Sequence, residues 1–385
     1  MQKKIIRIGL VGGGFMAKAH SNAYHTIPYI YHDESYLPQL VMIGASTAEK
    51  AAAVAQRYGF SRSCAGYRDI VESSDIDAVD ICVSDALHAE IALEALRNGK
   101  HVICEKPLAL NREDAREMRD TAREAALKSG VKAMCGFNYR FVSAVVLAKN
   151  LISSGKMGKV YHFNGSYLQD SAYAEDTPIE RLSFLRGSKG SGIALNIGSH
   201  LVDMARFLAG EITGISGMMP TYNSFRNSQQ GQQQVDREED MLAMVSFESG
   251  ATGLLRASAV SAGRKNRLAW EISCSRGSLV FDLENLNNLD VFYKDNPVQE
   301  ITGFTRINVT QADRNHPFMD VWWPRGHIVG WEHAHINQIA HFLRCIALNE
   351  DVEPMGASFE DGYKSIDIID SLRKSAEQNK TVTLG

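Results

Sequence analysis

The chain has 385 residues, 44% of them hydrophobic and 22% charged, with a formal net charge of −4. That length exceeds one compact core and predicts two or three domains, and the near-neutral charge excludes the basic surface that tracks a phosphate backbone. No apolar stretch reaches the roughly 20 residues of a spanning helix, so neither nucleic acid nor a membrane is an expected partner. The opening strand, 5–11, follows two lysines like a secretory leader, but Arg7 and three glycines interrupt it and favour a buried strand. A helix at 15–25, a strand at 40–45 and a helix at 48–58 complete a βαβ unit. The alternation continues with strand 78–82, helix 87–98, strand 101–104, helix 112–129 and strand 132–136. Continuous apolar strands between amphipathic helices predict a doubly wound parallel sheet, the Rossmann arrangement, over 1–138.

After Tyr139 the rhythm changes. Helix 142–153 precedes alternating strands at 160–165, 241–247, 251–259, 267–274 and 278–281, which predict a mainly antiparallel sheet in a second α/β domain over 139–385. Residues 227–234 read as a polar surface loop, and helices 331–349 and 359–378 close the chain. A sheet face left over from the core suits a homodimer or homotetramer. Six scattered cysteines without a CxxC pair predict free thiols in a reducing, cytoplasmic compartment.

Gly12, Gly14 and Ala17 fit G-x-G-x-x-A between a strand and a helix that opens with Phe15 and Met16. Small residues there let backbone approach a pyrophosphate at a helix N-terminus, so NAD or NADP is the expected cofactor. The second strand ends at Ser46 and Thr47 rather than a carboxylate, with Lys50 one turn on, after what looks like an insertion at 28–40. A carboxylate would repel a 2′-phosphate; hydroxyls and a lysine tolerate one, which favours NADP, unless Ser46 merely caps the helix.

Two further segments carry the chemistry: Cys104-Glu105-Lys106-Pro107 at a strand end and Asn196-Ile197-Gly198-Ser199-His200-Leu201-Val202-Asp203 opening a helix. With Ala86-Leu87-His88, Gly136-Phe137-Asn138-Tyr139-Arg140 and Gly330-Trp331-Glu332-His333, they make nearly the whole chain resemble the Gfo/Idh/MocA family of sugar and polyol dehydrogenases. The order of features looks most like its inositol dehydrogenases. The resemblance implies a Rossmann domain followed by an α/β domain with a large open sheet. It implies hydride transfer between a nicotinamide and a cyclic polyol or sugar, the small-molecule partner. Alternatives are a glycoside 3-dehydrogenase, a redox-assisted deglycosylating enzyme, or a dinucleotide-binding regulator without turnover.

By the same resemblance Lys106 lies beside nicotinamide and substrate hydroxyl, where an ammonium polarises the oxygen, and Glu105 holds it. His200 takes the catalytic histidine's place, its ordinary pKa near 6.5 suiting proton exchange. Asn196 stands where many relatives carry aspartate; an amide orients a hydroxyl or a histidine tautomer but offsets no charge, and in an unrelated triad that change costs roughly 10⁴ in rate. Asp170 and Asp203 are the alternative carboxylates. Ser84-Asp85 departs from the family's Pro-Asn beneath the cofactor, with His88 nearby. Asn138, Tyr139, Arg140 and His333 are the remaining substrate-side candidates. His333 and His335 fall on different helix faces with no third ligand at metal spacing, so no metal is expected.

Overall fold

The first apolar run forms β1 (Lys4–Val11), with Ile6, Ile8 and Leu10 buried. The structure, a computed structural model, describes residues 3–32, 34–186, 191–298, 300–312 and 316–384. Its first unit comprises Met1–Phe141 with Gly330–Lys364, its second Val142–Val329 with Ser365–Gly385.

In the first unit β1 leads through α1 (Phe15–Ile30) to β2 (Tyr36–Ala45), α2 (Ala48–Tyr58), β3 (Arg62–Ala65) and α3 (Arg68–Glu72). Next come β4 (Ala78–Ile81), α4 (His88–Arg97), β5 (His101–Cys104), α5 (Arg112–Ser129) and β6 (Ala133–Cys135). These strands pair in parallel in the order β6-β5-β4-β1-β2-β3. Strand order reverses beside β1, which opens a crevice at the carboxyl ends of β1 and β4, where this sheet type takes dinucleotides.

Of the stretch 28–40, read as an insertion, residues 28–30 belong to α1 and residues 36–40 to β2. α1 continues through Pro28, near its end, where a missing N–H removes a single helical bond. β2 starts at Tyr36, opposite Lys4, and a register shift between Ile8 and Gly9 absorbs the extra residue. Pro38 is tolerated because β3 pairs only with Met42 to Ala45, leaving the strand's other side free there.

The second unit holds α6 (Ser143–Ser153), β7 (Val160–Leu168), α7 (Ser199–Ala209), β8 (Ile212–Met218), β9 (Phe225–Ser228) and β10 (Gly231–Gln234). It continues with β11 (Asp240–Phe247), β12 (Thr252–Ser258), β13 (Arg267–Cys274), β14 (Gly277–Asp282), β15 (Asn288–Tyr293) and β16 (Thr305–Asn308). A nine-stranded sheet runs β16-β15-β14-β13-β7-β12-β11-β8 and ends on Val382–Thr383; of its pairings, β7 with β12 is parallel. Helices α6 and α7 pack on this sheet. Exposed and buried residues alternate along β11, so Met241, Ala243 and Val245 are buried while Leu242 and Met244 are exposed. The polar stretch 227–234 is not a loop but part of the β9–β10 hairpin, with Asn227 opposite Gln232. A ribbon with both faces largely in water shows no apolar alternation for a sequence reading to detect.

Helix α8 (Trp331–Leu348) packs on α1 and β2, and β17 (Ala357–Ser358) joins β6 antiparallel. Residues 330–364 therefore group with the dinucleotide-binding unit, unlike the division into 1–138 and 139–385. Burial of Ile336, Ile339, Phe342 and Leu343 gives the physical reason: this apolar face of α8 is covered by the first unit's own elements. Among the described residues no helix is long and apolar enough to cross a membrane.

Candidate active site

The G-x-G turn has the geometry that a pyrophosphate needs. Gly12 has φ 134°, and a Cβ there would lie 2.3 Å from the Cys82 carbonyl oxygen, so a side chain is excluded. Gly14 is the N-cap of α1 and gives no side-chain cap, and a Cβ there would meet nothing within 4 Å. Open space over an uncapped helix N-terminus suits an anion. A cavity of about 700 Å³ is lined by Gly12, Gly14, Phe15, Met16, Ser46, Lys50 and Ser84. Ala17 is buried behind it.

Thr47 rather than Ser46 caps α2, its hydroxyl accepting the Lys50 N–H at 3.3 Å, while Ser46 Oγ accepts from Lys50 Nζ at 3.4 Å. Arg57 and Tyr67 also line this cavity. The sequence reading missed both, although Arg57 lies two helical turns after Lys50 on one face of α2.

β5 delivers Glu105 and Lys106 to the carboxyl edge of the sheet, and the Glu105 N–H still bonds the Ile81 carbonyl at 3.0 Å. His88, expected at the cofactor, is buried with Nδ1 2.8 Å from the Pro107 carbonyl oxygen and Nε2 3.3 Å from that of Val83. Glu105 was expected to hold the Lys106 ammonium. Its Oε1 lies 3.2 Å from Nε2 of His20 and its Oε2 accepts the Lys106 backbone N–H at 3.4 Å, and the Lys106 charge helps to keep the carboxyl ionised.

On its other side, His20 Nδ1 is 2.9 Å from Asp80, which also accepts from the Tyr24 hydroxyl at 3.0 Å. Burial works against a charged His20, yet Asp80 and Cys82 overcome it and raise the imidazole well above its ordinary pKa. Burial likewise opposes ionised Glu105, but His20, His335 and Lys106 hold the carboxyl below its usual range. His20 and Asp80 escaped the sequence reading, which weighed His335 only beside His333; a histidine on the apolar face of α1 was the available signal.

Asn138 Nδ2 lies 3.1 Å from His335 Nε2, and the His335 ring meets Trp331 at 4.3 Å. Trp331 stacks on Phe15 at 5.4 Å and donates through Nε1 to the Tyr139 hydroxyl at 3.4 Å. Burial, with the charges of His20 and Lys106, pushes His335 down to about 3. Arg140 is buried, its guanidinium 3.2 Å from Asp361 and 3.3 Å from the Gly356 carbonyl. His333 Nδ1 accepts the Gly330 N–H at 3.1 Å and so caps α8.

In the second unit a π-helical turn, Ala194–Gly198, carries Asn196 into α7. Such turns re-aim side chains and recur at functional sites. His200 is 6% exposed and its ring lies 6.0 Å from that of Tyr167, whose hydroxyl donates to Asn266 at 2.8 Å. Gln169 donates to the same Asn266 oxygen at 2.8 Å. Asp170 pairs with Lys265, and Asp203 is buried within α7.

A doubly wound sheet with an anion-ready glycine turn and a lysine at its carboxyl edge defines a dinucleotide-dependent oxidoreductase. Residues 6–133 match the model described as "Oxidoreductase family, NAD-binding Rossmann fold", and residues 145–280 match the GFO/IDH/MocA C-terminal domain. The chain belongs to the GFO/IDH/MocA oxidoreductase family, whose members act on CH–OH groups. It is 34% identical to levoglucosan dehydrogenase of Pseudarthrobacter phenanthrenivorans over 98% of this chain and 97% of that protein. A solved structure of levoglucosan dehydrogenase with NADH and levoglucosan superposes with a TM-score of 0.93 at 33% identity, covering 99% of this chain and 100% of that one. The scyllo-inositol 2-dehydrogenase (NAD(+)) of Bacillus subtilis is 31% identical over 58% of this chain and 60% of that protein. The leaning toward inositol dehydrogenases thus meets a more complete likeness to levoglucosan dehydrogenase.

Proposed function

We propose that the chain oxidises a ring carbinol of a sugar, with an anhydro sugar of the levoglucosan type as the leading substrate. Full-length similarity to levoglucosan dehydrogenase carries this reading. The bound nicotinamide supplies a hydride acceptor; the residues around the glycine turn fit its dinucleotide. NAD is the cofactor in the relatives' complexes, and Ser46 with Lys50 admits NADP as well.

Lys106 polarises the carbinol oxygen. His200 exchanges the hydroxyl proton, and Asn196 orients substrate or imidazole, an assignment supported by the π-turn that carries it. With an amide there instead of a carboxylate, the imidazolium that forms is less stabilised. Asn138 and Tyr139 adjoin the Trp331–His335 pair and are the first-unit candidates for substrate contact, whereas Arg140 is committed to Asp361.

A second copy of this chain is the proposed partner of the open sheet face, where Met218, Met244 and Leu254 are exposed. Six cysteines, none of them in a disulfide, support a reducing compartment such as the cytoplasm.

The test is a matrix of levoglucosan, free aldoses, glycosides and inositols against NAD and NADP, repeated with Lys106→Ala. Reduction of cofactor by levoglucosan above the inositols, lost in the variant while NADH still binds, is expected. Turnover on inositols alone would refute the substrate, and an active lysine variant would refute the role of Lys106.

A further inference from the structure

The buried cluster behind the Lys106 turn joins four elements. His20 lies on α1, the helix that opens at the dinucleotide turn; Asp80 belongs to β4, Glu105 follows β5, and His335 is on α8. His20 and Asp80 are wholly buried, and Glu105 is 4% exposed. Nδ1 of His20 faces Asp80 at 2.9 Å and Nε2 faces Glu105 at 3.2 Å. Nδ1 donates to the Asp80 carboxylate, whereas Nε2 approaches Glu105 without the alignment of a hydrogen bond, so the second carboxylate meets the ring as a charge partner, and an imidazole held between two carboxylates favours its doubly protonated form.

The Glu105 carboxylate packs closely on the backbone of Gly136, where a Cβ would lie 2.6 Å from Oε1 and displace it. We propose that His20 is a positioning residue for Lys106: anchored by Asp80, it fixes the Glu105 carboxylate behind the Lys106–Pro107 turn and sets the charge against which Lys106 works. This rests on the reading that Lys106 acts on substrate.

The groups facing His20 are Asp80 and Cys82 from the β4 end, Tyr24 from its own helix, Glu105 from the β5 end and His335 from α8. Glu105 and His335 are the groups whose ionisation responds to the Lys106 charge. Charge thus alternates from Asp80 through His20 and Glu105 to Lys106. Removing the imidazolium leaves the Glu105 carboxylate to Lys106 alone, which then holds its proton more tightly.

The experiment compares the parent enzyme with His20→Gln and Glu105→Gln, following pH profiles of kcat/KM, sugar KM and NADH affinity. With His20→Gln, kcat is expected to fall on the order of 10²-fold, as for a misplaced reacting group, with sugar KM and NADH affinity little changed. The limb reporting Lys106 moves to higher pH in His20→Gln and to lower pH in Glu105→Gln. Folded variants with the parent's pH profile would overturn the proposal.

Imidazole ¹⁵N shifts of the unmodified enzyme test it without any variant: His20 stays doubly protonated at pH 7, above the ordinary value of 6.5 at which a free histidine has lost half its protons. A neutral His20 at pH 7 would overturn it. His20, Glu105 and His335 also place ligand atoms within 4.8 Å of one another. Loss of turnover to a chelator, restored by zinc, would overturn the proposal in favour of a metal site. An active Lys106→Ala enzyme would instead remove the reading of Lys106 while leaving the charge state of His20 as found.

Discussion

Nδ1 of His88 stands 2.8 Å from the carbonyl oxygen of Pro107, tying the first turn of α4 to the turn that presents Lys106. Both ring nitrogens face carbonyl oxygens, which only accept, and the shorter contact of Nδ1 with Pro107, against 3.3 Å from Nε2 to Val83, favours Nδ1 as the donor and fixes the ring's orientation. Replacing His88 by alanine leaves a buried carbonyl without its donor, at a cost of about 1–3 kcal/mol. The expected result is a melting temperature lower by several degrees and a reduced kcat, read by calorimetry and steady-state kinetics. Unchanged melting and turnover would show that the bond holds nothing in place.

Cofactor preference is expected to turn on Ser46, whose hydroxyl meets Lys50 Nζ at 3.4 Å in the dinucleotide cavity. Ser46→Asp places a carboxylate where it accepts from a ribose 2′-hydroxyl and repels a 2′-phosphate. The ratio of kcat/KM for NAD over NADP should rise at least about tenfold, the equivalent of 1.4 kcal/mol. An unchanged ratio would mean that the adenosine ribose lies elsewhere.

Acid stability is set in part by two buried neutral histidines. Burial and the charges of Lys4 and Lys132 push His101 down to about 4, and its Nδ1 accepts the Lys132 N–H at 2.9 Å. His335 is held at about 3. Below the ordinary value of 6.5 the unfolded chain binds protons that these native rings refuse, so stability falls as pH falls from 6.5 toward 4. Each histidine contributes a slope of about 1.4 kcal/mol per pH unit. His20 has the opposite sign: with its folded pKa raised, its contribution is complete below 6.5 and is lost only as pH rises through that folded value. Urea titrations at pH 6.5, 5.5 and 4.5 measure the slope, and a flat profile would contradict this account.

The open sheet face should report on self-association. Met244 is 60% exposed on β11 beside Leu254, 57% exposed on β12. Met244→Glu adds charge to this apolar patch without touching the core side of the strand. Sedimentation should show smaller assemblies than the parent at equal concentration, with an unchanged circular dichroism spectrum. The parent's sedimentation behaviour in the variant would place self-association on another surface.

Much of the fold was legible in local pattern, because apolar strands alternating with amphipathic helices permit few arrangements. β1, β5 and α5 lie within a residue of their expected bounds, and Gly12 and Gly14 take up the predicted turn. Where local pattern was weak the reading slipped: Pro28 and Pro38 disguised a longer helix and strand, and the polar residues of the β9–β10 ribbon disguised a hairpin.

What the sequence by itself determined was the doubly wound sheet, its glycine turn, and the family to which Lys106 and His200 point. Only the tertiary structure decided that α8 packs with the dinucleotide-binding unit, that His88 locks Pro107, and that His20 sits between Glu105 and Asp80. The physical reason is range. A turn or a strand is specified by neighbours a few residues apart, whereas a buried charge finds its partner 60 to 85 residues away, where folding removes the water that would otherwise solvate it.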